Sequence, residues 1–174
     1  MINDILLKPQ NETLYKEEIV FKKNLEECRK KGLCPTCENQ KHGNIYKEDP
    51  ELTLYEDEIF LVKLEQEPRR SGHTIIIIKP HYEDISEMPL RLAVPFFVLT
   101  QKIIHAQLNV LGALKSYLVT MCDGGRNHLH FQLIPRYSGE THGKNVFVSE
   151  RQTIKKDIVL INKMREFIKN YEVK

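Results

Sequence analysis

Apolar residues recur at Tyr15, Ile19, Leu25 and Cys28 with charges between them, so residues 11–31 read as a helix that stops at Gly32. Cys34-Pro35-Thr36-Cys37 then reads as a tight turn. Residues 52–64 contain the strand candidate Ile59-Phe60-Leu61-Val62, followed by a polar loop from Glu65 to Arg70. The run from His73 to Ile78 is β-branched almost throughout and predicts a strand buried on both faces, closed by Lys79-Pro80-His81. Ser86-Glu87-Met88-Pro89 opens a helical region. Pro95 belongs near the first turn of its main helix, because deeper inside it would remove a hydrogen bond. That helix runs to about Leu111 and carries a core-facing stripe at Phe96, Leu99, Ile103, Ile104 and Leu108. Two further strands, 116–122 and 128–136, flank the turn-like loop from Asp123 to Asn127. A last helix through Ile154, Ile158, Ile161, Phe167 and Ile168 covers residues 152–171. These elements predict a single α+β domain: an antiparallel sheet with one central helix, flanked by helices at both ends.

Composition narrows the class of protein. The 174 residues are 41% hydrophobic and 29% charged, enough apolar material for a core without disulfides. The apolar run around Thr74 to Ile78 is far shorter than the roughly 20 residues of a spanning helix, so no membrane partner is expected. The start at Met1 has neither the basic region nor the apolar stretch of a secretion signal, so a cytoplasmic location with reduced thiols is expected. A net charge of +2 is too weak for a nucleic-acid binder, and Lys22-Lys23, Lys30-Lys31 and Lys155-Lys156 read as solvated helix faces.

Chemistry concentrates in two places. Alternation along a strand puts His128, His130 and Gln132 in one row while Leu129, Phe131 and Leu133 face the core. The loop before it, Gly124-Gly125-Arg126-Asn127, has glycines that let backbone N–H groups converge on an anion, and an arginine to add charge. A bare pair of histidines on a strand is as readily a polar outer face, and Arg126 as readily an exposed loop residue. Cys34 and Cys37 could be a redox pair, a zinc half-site or two unrelated thiols. Two more ligands would close a tetrahedral site, and His81 and His128 are suitable by position. His73 and His105 read as packed structural histidines, Cys28 and Cys122 as core residues, and His42 and His142 as surface positions. His142 and Lys144 could still touch substrate phosphates.

The stretch from Ser71 to His81, the helix after it, and His128-Leu129-His130-Phe131-Gln132-Leu133-Ile134-Pro135-Arg136 resemble the histidine triad (HIT) superfamily in order and spacing. The resemblance covers about 52–136. It leaves outside an N-terminal extension, 1–51, with the cysteine pair, and a C-terminal helix, 150–172. It implies a HIT-like antiparallel sheet of about five strands, and hydrolysis or transfer of nucleoside monophosphates through a covalent nucleotidyl-histidine, a role that falls on His130. The family's ribose-binding aspartate corresponds to Glu65, a longer arm. Arg126, Asn127 and Gly125 would hold phosphoryl oxygens. The third motif position is Gln132, where the hydrolase branches have histidine, so the chain resembles the galactose-1-phosphate uridylyltransferase and dinucleoside polyphosphate phosphorylase branch. An amide can donate to a phosphoryl oxygen but cannot protonate a departing amine or alkoxide. Nucleoside polyphosphates or nucleotide sugars are therefore the expected substrates. The resemblance also implies a structural zinc on Cys34, Cys37, His81 and His128, since such a set leaves no open position, and a homodimer. The alternative from another class is a nucleotide-binding sensor or adaptor without turnover.

Overall fold

The computed structural model describes residues 23–43, 49–122, 127–152 and 155–173, and the chain divides into two compact units, 1–48 and 49–174. In the first unit, α1 is helical over 23–30 and ends where Gly32 takes a left-handed φ of 64°. The part of the expected helix over 11–22 lies outside the described residues. The cysteine segment is not the turn expected from its composition. Cys34 is the N-cap of α2 (Pro35–His42), with Pro35 at the first helical position, where its missing N–H costs nothing.

The second unit carries five strands: β1 (Thr53–Glu56), β2 (Phe60–Leu64), β3 (Thr74–Ile78), β4 (Lys115–Val119) and β5 (His130–Arg136). They form one antiparallel sheet in the order β1-β2-β3-β5-β4. The single strand expected from Ile59 to Val62 is half of a hairpin. The Asp57 carboxylate accepts from the N–H groups of Ile59 and Phe60 and so turns the chain between β1 and β2. After β3, two short 3₁₀ turns lead into α3 (Ala93–Val110), which places Pro95 in the first turn. Helices α4 (Lys144–Phe147) and α5 (Ile158–Asn170) follow the sheet, α5 starting six residues later than the periodicity suggested because Asp157 caps it through Leu160 N–H.

One face of the sheet makes the core. Phe60 and Val62 of β2, Ile76 and Ile78 of β3, and Leu129, Phe131 and Leu133 on β5 and just before it pack against Phe96, Leu99 and Ile103 of α3 and Ile161, Met164 and Ile168 of α5. Gln107, fully buried on α3, ties the layers together by donating to the carbonyls of Gly72 and Leu133 at 2.9 and 3.1 Å. Pro135 is tolerated inside β5 because the β3 ladder has already ended at the Thr74 and Leu133 pair. Among the described residues no helix is long and apolar enough to cross a membrane.

Candidate active site

Because Phe131 and Leu133 are committed to the core, His130 and Gln132 project from the opposite face of β5, in register with Ile77 and Ile75 of β3. His128 does not share that strand. The β3 ladder reaches its end at Ile78, whose N–H donates to Leu129 O, and Leu129 N–H turns instead to Tyr82 O. Strand β5 therefore begins at His130, two residues later than the sequence pattern suggested.

The rings of His130 and His128 are each held by a main-chain carbonyl. His130 Nδ1 donates to the carbonyl of His128 at 2.9 Å, which leaves the lone pair on Nε2. His128, buried, donates from Nε2 to the carbonyl of Ile78 at 2.7 Å and so turns Nδ1 towards Nδ1 of His81, 3.4 Å away. Nε2 of His81 lies 3.7 Å from the Glu83 carboxylate. Two imidazoles whose Nδ1 atoms converge, one of them with its tautomer set by the Ile78 carbonyl, fit a pair of metal ligands. Burial pushes the His128 imidazolium down from its ordinary value, with the neighbouring His81 adding to this, so the ring is kept neutral.

In the first unit Cys37 N–H donates to Cys34 Sγ at 3.5 Å, and none of the four cysteines is in a disulfide. Burial, with the adjacent Cys34, pushes the Cys37 thiol up to about 11. Two thiols offered by a Cys-x-x-Cys helix start suit a soft divalent cation, whose charge would offset that shift.

Gln132 is buried, and its amide oxygen faces Nε2 of His73 at 3.1 Å. His73 Nδ1 accepts from the backbone N–H of Arg69 at 3.3 Å. Burial holds the His73 imidazolium down to about 4, so the ring is neutral with its proton on Nε2. His73 is the packed histidine the sequence suggested, but its bond to Gln132 follows only from the strand register. Before it, Gly72 at φ 77° meets the side chain of Leu111 so closely that a Cβ there would overlap Leu111 Cδ1.

Glu65 follows β2, where its carboxylate pairs with Arg151 at 3.1 Å. It lines a cavity of about 230 Å³ between the β2–β3 loop and α5, floored by Leu64, Leu160 and Met164. Asn127 donates to the carbonyl of Cys122 at 2.7 Å. Gly125 and Arg126 lie outside the described residues. Thr120, not singled out in the sequence, donates from Oγ1 to the carbonyl of His130 at 3.0 Å.

The HIT domain family model matches residues 46–139, more than half of the chain. An uncharacterized HIT-like protein of Methanocaldococcus jannaschii is 36% identical over 121 residues, covering 67% of this chain and 91% of that one. Among solved structures, a Zn-bound histidine triad family protein from Mycobacterium smegmatis superposes with a TM-score of 0.60 at 23% identity, covering 78% of this chain and 93% of that one. A hypothetical histidine triad nucleotide-binding protein from Sulfolobus tokodaii gives a TM-score of 0.57 at 24% identity, with 79% and 93% covered. At these identities the two structures speak for the fold.

Proposed function

The chain belongs to the HIT domain family, and from that premise we propose that it transfers or hydrolyses nucleotidyl groups of nucleoside polyphosphates or nucleotide sugars, with His130 as the nucleophile. Proteins of this family hydrolyse, transfer or bind nucleotides. The observation that carries the reading is the bond from His130 Nδ1 to the His128 carbonyl, which presents Nε2 as the electron-pair donor. Nε2 attacks the α-phosphorus, a P–N bond forms, and the P–O bond to the departing phosphate breaks with its electron pair leaving on oxygen. The ring becomes positively charged, and the His128 carbonyl on Nδ1–H stabilises that charge. An oxygen of water or of a second phosphate then attacks phosphorus, the P–N bond breaks with its electron pair returning to Nε2, and His130 departs as the neutral imidazole. Water releases its proton to solvent, whereas the phosphate attacks through an oxygen that is already anionic.

Gln132 is assigned to a non-bridging phosphoryl oxygen through its amide nitrogen. Since an amide cannot act as an acid, leaving groups that need no proton are favoured, which fits the uridylyltransferase and phosphorylase branch. Glu65 is assigned to the ribose hydroxyls, and Gly125, Arg126 and Asn127 to the phosphates. Incubation with radiolabelled diadenosine tetraphosphate should trap acid-labile nucleotide on the wild type and none on His130→Ala. Nucleotide binding without label in both would support the sensor reading instead.

We further propose a structural zinc with Cys34, Cys37, His81 and His128 as ligands. Each pair is chemically suited and incomplete by itself, and the similar mycobacterial protein is Zn-bound. Zinc would supply fold stability and a fixed place for the segment that begins β5. A homodimer is proposed on β4, an edge strand of the sheet among the described residues, and the exposed apolar residues Leu90, Val94 and Phe97.

A further inference from the structure

We infer that His73 is a positioning residue for Gln132 and determines which end of its amide meets the substrate. The inference rests on the nucleotidyl-transfer reading given above.

Gln132 presents either an oxygen or an NH₂ group, and only the second can stabilise a phosphoryl oxygen. An amide facing the wrong way would set its own lone pairs against the charge of the transition state. Rotation about the last side-chain bond exchanges the two ends at little intrinsic cost, so a neighbour must decide. His73 is that neighbour, and its own proton is assigned by the chain. Arg69 N–H can only donate, so His73 Nδ1 accepts, Nε2 carries the hydrogen, and Gln132 Oε1 must accept it. The Nε2 end of Gln132 is thereby turned away from His73, and no hydrogen-bond partner holds that nitrogen among the described residues.

The device extends beyond the residues matched to the family. The guanidinium of Arg69 donates to the carbonyl of Ser149, Arg70 donates to Ser149 Oγ at 3.1 Å and pairs with Glu140 at 2.9 Å, and Gln152 N–H donates to Pro68 O at 2.9 Å. The segment that follows β5 thus holds the loop from Pro68 to Arg70, which fixes the His73 tautomer, which in turn orients Gln132. Every link is between uncharged rings and amides or main-chain groups at its working end, so the orientation persists across neutral pH.

The test uses the full-length protein and the two diastereomers of diadenosine tetraphosphate with sulfur at the α-phosphorus. Sulfur accepts hydrogen bonds poorly, so a correctly aimed amide makes the wild type prefer one diastereomer. His73→Leu should lose that preference and lower kcat by roughly 10- to 100-fold with little change in KM. His73→Gln, which restores an N–H donor at a similar reach, should recover the preference. A diastereomer ratio unchanged in His73→Leu would overturn the inference, since mere loss of packing leaves the ratio alone. A second arm is independent of turnover: ¹⁵N NMR of histidine-labelled wild type should show His73 as the Nε2–H tautomer between pH 6 and 8. An Nδ1–H tautomer would overturn the inference even in an active enzyme. Absence of any nucleotidyl labelling in the wild type would instead remove the functional reading, with the tautomer still deciding the orientation.

Discussion

His130 donates its Nδ1 proton to the main-chain carbonyl of His128, 2.9 Å away, two residues back along the same chain. Because the acceptor is a backbone atom, the tautomer of His130 does not depend on the identity of the side chain at 128. His128 is released to do something else, and its ring is oriented towards His81 by the carbonyl of Ile78. Under the proposed assignments the neighbours His128 and His130 therefore take different chemical roles.

Under the proposed mechanism Gln132 sets the choice of leaving group. Gln132→Ala is expected to lower kcat on a dinucleoside polyphosphate by about 10²- to 10³-fold, the loss of one transition-state donor. Gln132→His introduces a group able to protonate a leaving amine, and hydrolysis of a nucleoside phosphoramidate should rise above the wild type. Steady-state rates on the two substrates check this, and an unchanged phosphoramidate rate would count against the role of the amide.

The depressed His73 titration has a stability consequence with a definite sign. The folded chain keeps this ring neutral down to about 4, whereas the unfolded chain protonates it near 6.5. Between those values the unfolded state binds more protons, so this contribution is present above about pH 6.5 and is lost as pH falls towards 4. Urea unfolding at pH 7.5 and 4.5 should show the wild type losing about 2–3 kcal/mol more than His73→Gln over that interval. Equal losses in the two proteins would contradict a buried neutral His73.

Arg151 competes for the carboxylate assigned to ribose. The pair is partly exposed, with the arginine side chain 43% accessible, so Arg151→Ala should cost under about 1 kcal/mol of stability. Freed from that partner, Glu65 should bind a ribonucleoside monophosphate about two- to fivefold tighter, with no gain for the 2′,3′-dideoxy analogue. Isothermal titration calorimetry on both ligands separates this from a general change in the pocket.

Zinc should stabilise rather than catalyse. Elemental analysis is expected to find about one zinc per chain, lost in Cys34→Ser and His128→Ala but retained in Cys122→Ser. Strong chelation should lower the melting temperature by roughly 5 °C or more. A metal content indifferent to Cys34 and His128 would refute the ligand set.

The sheet strands and the central helix were legible in the sequence where one face is apolar. Ile76 and Ile78, Phe131 and Leu133, and Phe96, Leu99 and Ile103 all occupy the core that their periodicity implied. Strand β1 escaped notice because Leu54 is its one fully buried side chain, too weak a pattern to stand out. The composition of the cysteine segment suggests a turn, but Pro35 serves equally well as a helix start. Alternation extends β5 to His128, past the point where its partner strand ends, because a partner's end is invisible from one strand alone. For the same reason the bond between His73 and Gln132, 59 residues apart, could only emerge from the pairing of Ile75 with Gln132. The contacts of Ser149 and Arg151 with the β2–β3 loop have no local signature at all, since they join side chains to distant backbone in a segment without periodicity.

The most direct measurement of the account is the site of covalent attachment. Wild-type protein incubated with labelled diadenosine tetraphosphate, quenched in alkali and digested, should yield one nucleotidylated peptide with the modification on Nε2 of His130. His128→Ala, if folded, should retain that label. Attachment at His128, at another histidine, or equal labelling of His130→Ala would contradict the assignment of His130 as the nucleophile.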